Sequence, residues 1–326
     1  MYKGNLAPIV FFVYNRLEHS VKTIDALKQN PEAKESILYI FSDGPKEDAT
    51  DEQRDIIQSV RDYIHTITGF KKVIIEEAPK NKGLAKSTID GISKVVNAHG
   101  KVIVIEDDDA PSPYFLAYEN ECLNKFEDDE RYWMVSGYVD NKVVEPFEQE
   151  DVYAVCRNSS WGFGTWARCW NKVIWDIDEI KRRFNYKTLT KFAYAGGFDL
   201  PVIMVGLFYG YNNSWSVRFE FSRYMNNGLT IFPSYSLIKN IGLDGSGTHC
   251  STVDDNEVTY MSRKVIVPSE IKFDEKRNKQ LKSSFTPRNV WGILFKLGIF
   301  FEPRTFLLMH GCYEPLKRLF KKPNRK

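Results

Sequence analysis

Short apolar runs alternate with amphipathic stretches through the first part of the chain. Pro8-Ile9-Val10-Phe11-Phe12-Val13-Tyr14 is continuous and apolar, the pattern of a strand buried on both faces. Arg16 to Gln29 follows with Val21, Ile24, Ala26 and Leu27 at helical spacing. Ile37–Ser42 predicts a second strand, stopped by the turn signal Asp43-Gly44-Pro45. Asp51 to Ile67 predicts a helix through Ile56, Ile57, Val60, Tyr63 and Ile64, and Lys72–Glu76 a third strand. A helix over Gly83–Ala98 leads into a fourth strand, Lys101–Ile105, which ends at Glu106-Asp107-Asp108-Asp109. A helix over Pro113–Phe126 and a strand at Trp133–Gly137 complete the regular part. Alternation of this kind predicts an α/β fold with a mostly parallel, Rossmann-type sheet flanked by helices.

Beyond residue 141 the periodicity fades into a stretch rich in Gly, Asn, Trp and Tyr, expected to be irregular. The chain therefore divides into 1–140, a regular α/β half; 141–264, a less regular half of the same domain; and 265–326, a basic amphipathic C-terminal extension. Between Lys276 and Lys326 there are thirteen Lys or Arg against two acids, although the whole chain carries only +2. That tail, with Trp291, Phe295, Phe300 and Phe301 among its cations, suits an anionic membrane surface. The overall balance gives no argument for nucleic acid. Five scattered cysteines without a CxxC favour a reducing compartment, and no apolar run reaches the length of a spanning helix. The expected location is cytoplasmic, peripheral on the inner face of the cell membrane.

Four consecutive acids after a buried strand carry a cost unless something neutralises them. A hard divalent cation, Mn²⁺ or Mg²⁺, does so, and such ions commonly combine one or two carboxylates with substrate phosphates. The cluster and Asp43 both fall at carboxyl ends of predicted strands, where open α/β sheets bind ligands, so one cleft is expected to hold both.

The order of these features resembles the GT-A glycosyltransferases, in particular the clan of glycosyltransferase family 2 and the animal N-acetylglucosaminyltransferase that begins complex N-glycans. Val104-Ile105-Glu106-Asp107-Asp108 matches that clan's strand ending in Glu-Asp-Asp. The resemblance covers residues 7–250, is strongest over 7–140, and implies a nucleotide-sugar donor. By it, Asp108 is the metal ligand and Glu106 and Asp107 contact the donor. An Asp107-x-Asp109 register also fits, which keeps Asp109 as a metal candidate. The end of the first strand, Tyr14-Asn15-Arg16, would grip the nucleotide. Asp43 would meet the uracil or ribose, and Lys82 and Gly83, at a helix start, would suit phosphate. His249, after the Gly-rich segment Ile241–Gly247, resembles a late metal- or diphosphate-binding His.

Transfer with inversion needs a base on the acceptor side. Asp199, in Gly196-Gly197-Phe198-Asp199, resembles the clan's catalytic acid and could equally cap the helix near Pro201; Glu220 is the reserve. Trp161 is expected to face ligand, and Trp166 and Trp170 to be core. Arg218 would support a diphosphate or pair with an acid. The acceptor would be a glycan or lipid-linked oligosaccharide, and the pathway surface polysaccharide synthesis. Two alternatives compete: a sugar-1-phosphate nucleotidylyltransferase, against which Asn15-Arg16-Leu17-Glu18-His19 lacks the expected glycines, and a non-catalytic carbohydrate-binding protein of the same fold.

Overall fold

The computed structural model describes residues 4–146, 150–244 and 263–285. The expected α/β class is present. Strand β1 (Ile9–Val13) leads through helix α1 (Leu17–Lys28) to β2 (Ile37–Ser42), then α2 (Asp51–Ile64) to β3 (Lys72–Glu77), and α3 (Leu84–His99) to β4 (Lys101–Glu106). These seven segments lie within a few residues of the sequence expectation. The cause is visible in burial: β1 is buried along its whole length and β4 up to Glu106, as their unbroken apolar runs require. Helix α2 is started by a capping box between Thr50 and Gln53. Gly100, left-handed at φ 81°, ends α3.

The chain then forms the short β5 (Asp109–Pro111), α4 (Phe115–Lys125), β6 (Tyr132–Ser136), β7 (Val152–Val155), β8 (Phe163–Trp166) and α5 (Ala167–Trp170). Helices α6 (Ile177–Arg183), α7 (Tyr186–Gly196), α8 (Asp199–Phe208) and α9 (Trp215–Met225) precede β9 (Leu229–Pro233), β10 (Ile238–Asn240) and α10 (Glu275–Ser284). The half expected to be irregular is therefore largely regular. Its strands are too short to show a period, and α8 is so uniformly apolar that no stripe stands out.

One sheet runs through both halves in the order β3-β2-β1-β4-β8-β6-β9-β7. Only β8 and β7 run against the rest. β1 pairs with β2 on one side and β4 on the other, so the strand order reverses between β1 and β4. A two-stranded antiparallel ribbon, β5 with β10, stands beyond that point. The described part of the C-terminal extension packs on the sheet: Val265, Val267 and Ile271 join the main core, and α10 lies against β7 and α7. Among the described residues no helix is long and apolar enough to cross a membrane. Cys122, Cys156 and Cys169 are free thiols.

Candidate active site

The reversal between β1 and β4 opens a cleft of about 430 Å³ at the carboxyl ends of these strands. Tyr14, Asn15 and Arg16 line it from β1, Asp43 from β2, and Glu106, Asp107 and Asp108 from β4. Gly83 and Trp161 complete the sequence-predicted residues at its wall. Lys46, Asn81, Ser87, Thr88 and Asn240 line it as well. Of these, Lys46 had a readable signal, a cation directly after the Asp43-Gly44-Pro45 turn. Asn240 had none, because it arrives through β10 from the far end of the domain.

Arg16 is the counter-ion of the acidic cluster. Its Nε donates to Asp107 Oδ2 at 3.3 Å, its Nη1 to Asp108 Oδ2 at 2.9 Å, and its Nη2 pairs with Asp107 Oδ1. One guanidinium does not neutralise the group. Burial, with Asp108 and Asp107 adding, pushes Glu106 up to about 8. Burial pushes Asp107 up to about 6 despite the opposing pull of Arg16. Asp108 Oδ1 is buried with no hydrogen-bond partner among the described residues. Below it, the backbone is fixed: Thr23 Oγ1 donates to the Asp107 carbonyl at 2.8 Å, and Ile241 N to the Asp108 carbonyl at 2.8 Å.

Four expectations need correction. Asp109 turns away from the cleft and is fully buried; its Oδ2 accepts from Glu106 N at 3.3 Å and from Gly162 N at 3.0 Å. Through Oδ2 it braces the end of β4 against the Trp161 loop, while its Oδ1 is buried without a hydrogen-bond partner among the described residues and outside the cleft wall. Burial holds it well above the usual carboxylate range. Lys82 lies outside the cleft, its Nζ 3.7 Å from Asp90 Oδ2. Its backbone N–H and that of Gly83 are taken by Asp43, which accepts from Gly44 N, Lys82 N and Gly83 N at 2.8, 2.9 and 3.0 Å. Asp43 thus staples the loop before α3 to the end of β2, and the N–H groups expected for phosphate are spent internally. Glu220 is wholly buried, with Arg223 Nη2 on Oε1 at 2.6 Å and Arg223 Nε and Asn158 N on Oε2 at 2.9 and 3.1 Å. Both oxygens of that carboxylate are thus engaged, with the Arg223 guanidinium as its counter-ion. Asp199 is not a cap: Phe198 holds that position, and Asp199 lies in the first turn of α8 in a two-point pair with Arg157, at 2.9 and 2.8 Å.

Trp161 lines the cleft, whereas Trp166 and Trp170 are core. Arg218 is buried and bonded to the Trp175 carbonyl and Asn213, with no acid as partner among the described residues. His249 lies outside the described residues, as does the tail beyond Phe285.

The cluster fits a divalent cation in several respects. It offers acidic oxygens in excess of its counter-charge, with Asp108 Oδ1 in the cleft wall lacking a partner among the described residues, on a backbone held from two sides. Gly242 comes so close that a Cβ there would overlap Asp108 Oδ2. Among the described residues no three His, Cys, Asp or Glu side chains converge as a ready-made cage. A cation here would need substrate oxygens or water to complete its shell, as Mg²⁺ and Mn²⁺ commonly do at phosphates.

No family model matches the chain, and no curated protein matches its sequence. Solved structures match at low similarity. A mannosyltransferase from Pyrobaculum calidifontis in complex with GDP-Man and Mn²⁺ aligns at 12% identity and TM-score 0.35, over 51% of this chain and 46% of that one. Glucosyl-3-phosphoglycerate synthase from Mycobacterium tuberculosis, in complex with Mn²⁺, UDP and glucosyl-3-phosphoglycerate, aligns at 13% identity and TM-score 0.30, over 51% and 58%. A UDP-glucose pyrophosphorylase complexed with UDP-glucose aligns at 11% identity and TM-score 0.36, over 70% and 90%. The chain spans about half the length of the first two. Similarity of this degree concerns the fold alone; the chemistry of the cleft rests on its own residues.

Proposed function

We propose that this chain is a divalent-metal-dependent glycosyltransferase of the GT-A kind, moving a sugar with inversion from a UDP-sugar to a glycan or lipid-linked acceptor in surface polysaccharide synthesis. One observation carries the reading: at the strand-order reversal, Asp107 and Asp108 share a single guanidinium while Asp108 keeps a buried oxygen without a partner. That is a seat for a second cation in a cleft of a size that suits a small ligand. Asp108, with Asp107 beside it, would hold Mn²⁺ or Mg²⁺, which when bound supplies Lewis-acid stabilisation to a departing diphosphate. Arg16, which pairs with Asp107 and Asp108 in the cleft wall, would be a second cation for the same phosphates. Tyr14 and Asn15 edge the nucleotide end, and Asp43 shapes it from below by fixing the loop before α3. Lys46, also in the cleft wall, supplies a further cation. Trp161 offers an aromatic face to the sugar.

The test is a donor screen: release of UDP from a panel of UDP-sugars with Mn²⁺, using Asp108→Ala as control. The reading expects release by the wild type and its loss in the variant. Unchanged release in Asp108→Ala would remove the metal assignment, and release of pyrophosphate in place of UDP would favour the nucleotidylyltransferase alternative. The basic tail supports a further part of the reading, attachment to an anionic cytoplasmic membrane surface where a lipid-linked acceptor would be met.

A further inference from the structure

A second cavity, of about 310 Å³, adjoins Trp161, which lines both spaces. Its wall is mostly apolar, with Val139, Leu200, Val217, Phe232, Leu281 and Phe285 contributing. If the first cleft takes a sugar donor, as proposed above, the second takes the acceptor, because Trp161 lines both. An acceptor hydroxyl attacks well only when a base with an open lone pair receives its proton. Among the described residues, Asp140 and Glu220 are the carboxylates that line this cavity. Glu220 is consumed by Arg223 and Asn158 N. Asp199 does not line it, and both its oxygens are held by Arg157, whose guanidinium stacks 3.5 Å from the Phe285 ring centre.

Asp140 differs from both. Its Oδ1 accepts from Lys142 N at 2.9 Å, and among the described residues no donor reaches Oδ2. It stands four residues past the end of β6, a strand running the same way as β4, and so at the same edge of the sheet as the acidic cluster. Its loop is rigid. Gly137 N donates to the Gly162 carbonyl at 2.7 Å, Val143 N and Val144 N donate to the Asp140 carbonyl at 3.0 and 2.9 Å, and Tyr138 packs edge-on against Trp161 with ring centres 4.5 Å apart. We infer that Asp140 is the general base of the transfer. The acceptor oxygen forms a bond to the anomeric carbon, the bond from that carbon to the diphosphate oxygen breaks, and the nucleoside diphosphate leaves with the electron pair. The hydroxyl proton passes to Asp140 Oδ2.

The acceptor's identity is not needed for the test, because water replaces it in slow donor hydrolysis and azide replaces it without a proton to remove. UDP release and Mn²⁺-dependent UDP-sugar thermal shift are measured for wild type, Asp140→Ala and Asp199→Ala, with and without sodium azide. Asp140→Ala is expected to keep the thermal shift and to lose hydrolysis by about a hundredfold or more, within the usual range for a general base. Azide is expected to restore its UDP release, giving a glycosyl azide of configuration opposite to the donor's. A merely structural role would not be rescued by azide. Hydrolysis by Asp140→Ala at the wild-type rate, or azide rescue seen in Asp199→Ala and not in Asp140→Ala, would overturn the assignment. A wild type with no thermal shift for any UDP-sugar would instead defeat the donor reading, and this inference with it.

Discussion

Glu119 offers a prediction whose size follows from the structure. It lies in α4, wholly buried, and neither carboxylate oxygen has a partner among the described residues. Gly164 of β8 sits directly over it, where a Cβ would press on Oε2. Burial alone raises its pKa well above the ordinary 4.5. The unfolded chain therefore releases this proton near 4.5 while the folded chain keeps it. Across the window from about 4.5 up to the folded value, the folded state binds one more proton, so stability falls as pH rises, by about 1.4 kcal/mol per pH unit. Glu119→Gln carries no such proton and lacks that slope. The other buried acids contribute equally to both proteins and cancel in the difference. Urea unfolding followed by tryptophan fluorescence at pH 5, 6 and 7 should show Glu119→Gln gaining on the wild type by about 1.4 kcal/mol at each step while the window lasts. Parallel stability curves for the two proteins would refute the reasoning and mean that Glu119 is ionised, with a partner, in the folded state.

Further predictions concern the site and its supports. Glu220→Ala leaves the buried Arg223 guanidinium without its acid and should cost about 3–5 kcal/mol of stability, read by chemical denaturation; wild-type stability with lost turnover would restore Glu220 as a base. Gly242→Ala should leave the fold intact but weaken Mn²⁺-dependent UDP binding by about tenfold or more, since its Cβ must push the Asp108 carboxylate aside; unchanged affinity in titration calorimetry would show that Asp108 does not need its observed position. Removing residues 288–326 should abolish flotation with anionic liposomes and spare flotation-independent UDP binding; equal flotation of both forms would sink the membrane role.

What could be read from the chain beforehand follows from the range of the interactions involved. The units from β1 to β4 announce themselves because each strand is buried on both faces and each helix shows one apolar stripe. Trp161 and the acidic cluster were found for local reasons, a loop rich in glycine and a run of acids after a strand. The errors share one cause. Whether Asp109 faces the cleft depends on Gly162, whose positive φ of 58° presents its N–H to the Asp109 carboxylate. Whether Asp43 is open to a ligand depends on the loop at Lys82 and Gly83. Whether Glu220 or Asp199 is available depends on Arg223 and Arg157. A carboxylate's type and neighbours show that it could act as base or ligand; its partner, brought in from elsewhere by the sheet, decides whether it has a lone pair to offer. Asp140 went unnoticed for the converse reason, since nothing next to it marks it as unspent.

The central claim is that Asp108 seats a divalent cation which joins the protein to a nucleoside diphosphate. Titration calorimetry of UDP into the wild type and into Asp108→Ala, each with Mn²⁺ and with chelator, tests it directly. The account predicts that UDP binds the wild type only when Mn²⁺ is present and that Asp108→Ala loses the metal-dependent part. UDP binding to the wild type that is the same with chelator, or to Asp108→Ala with an undiminished response to Mn²⁺, would contradict it.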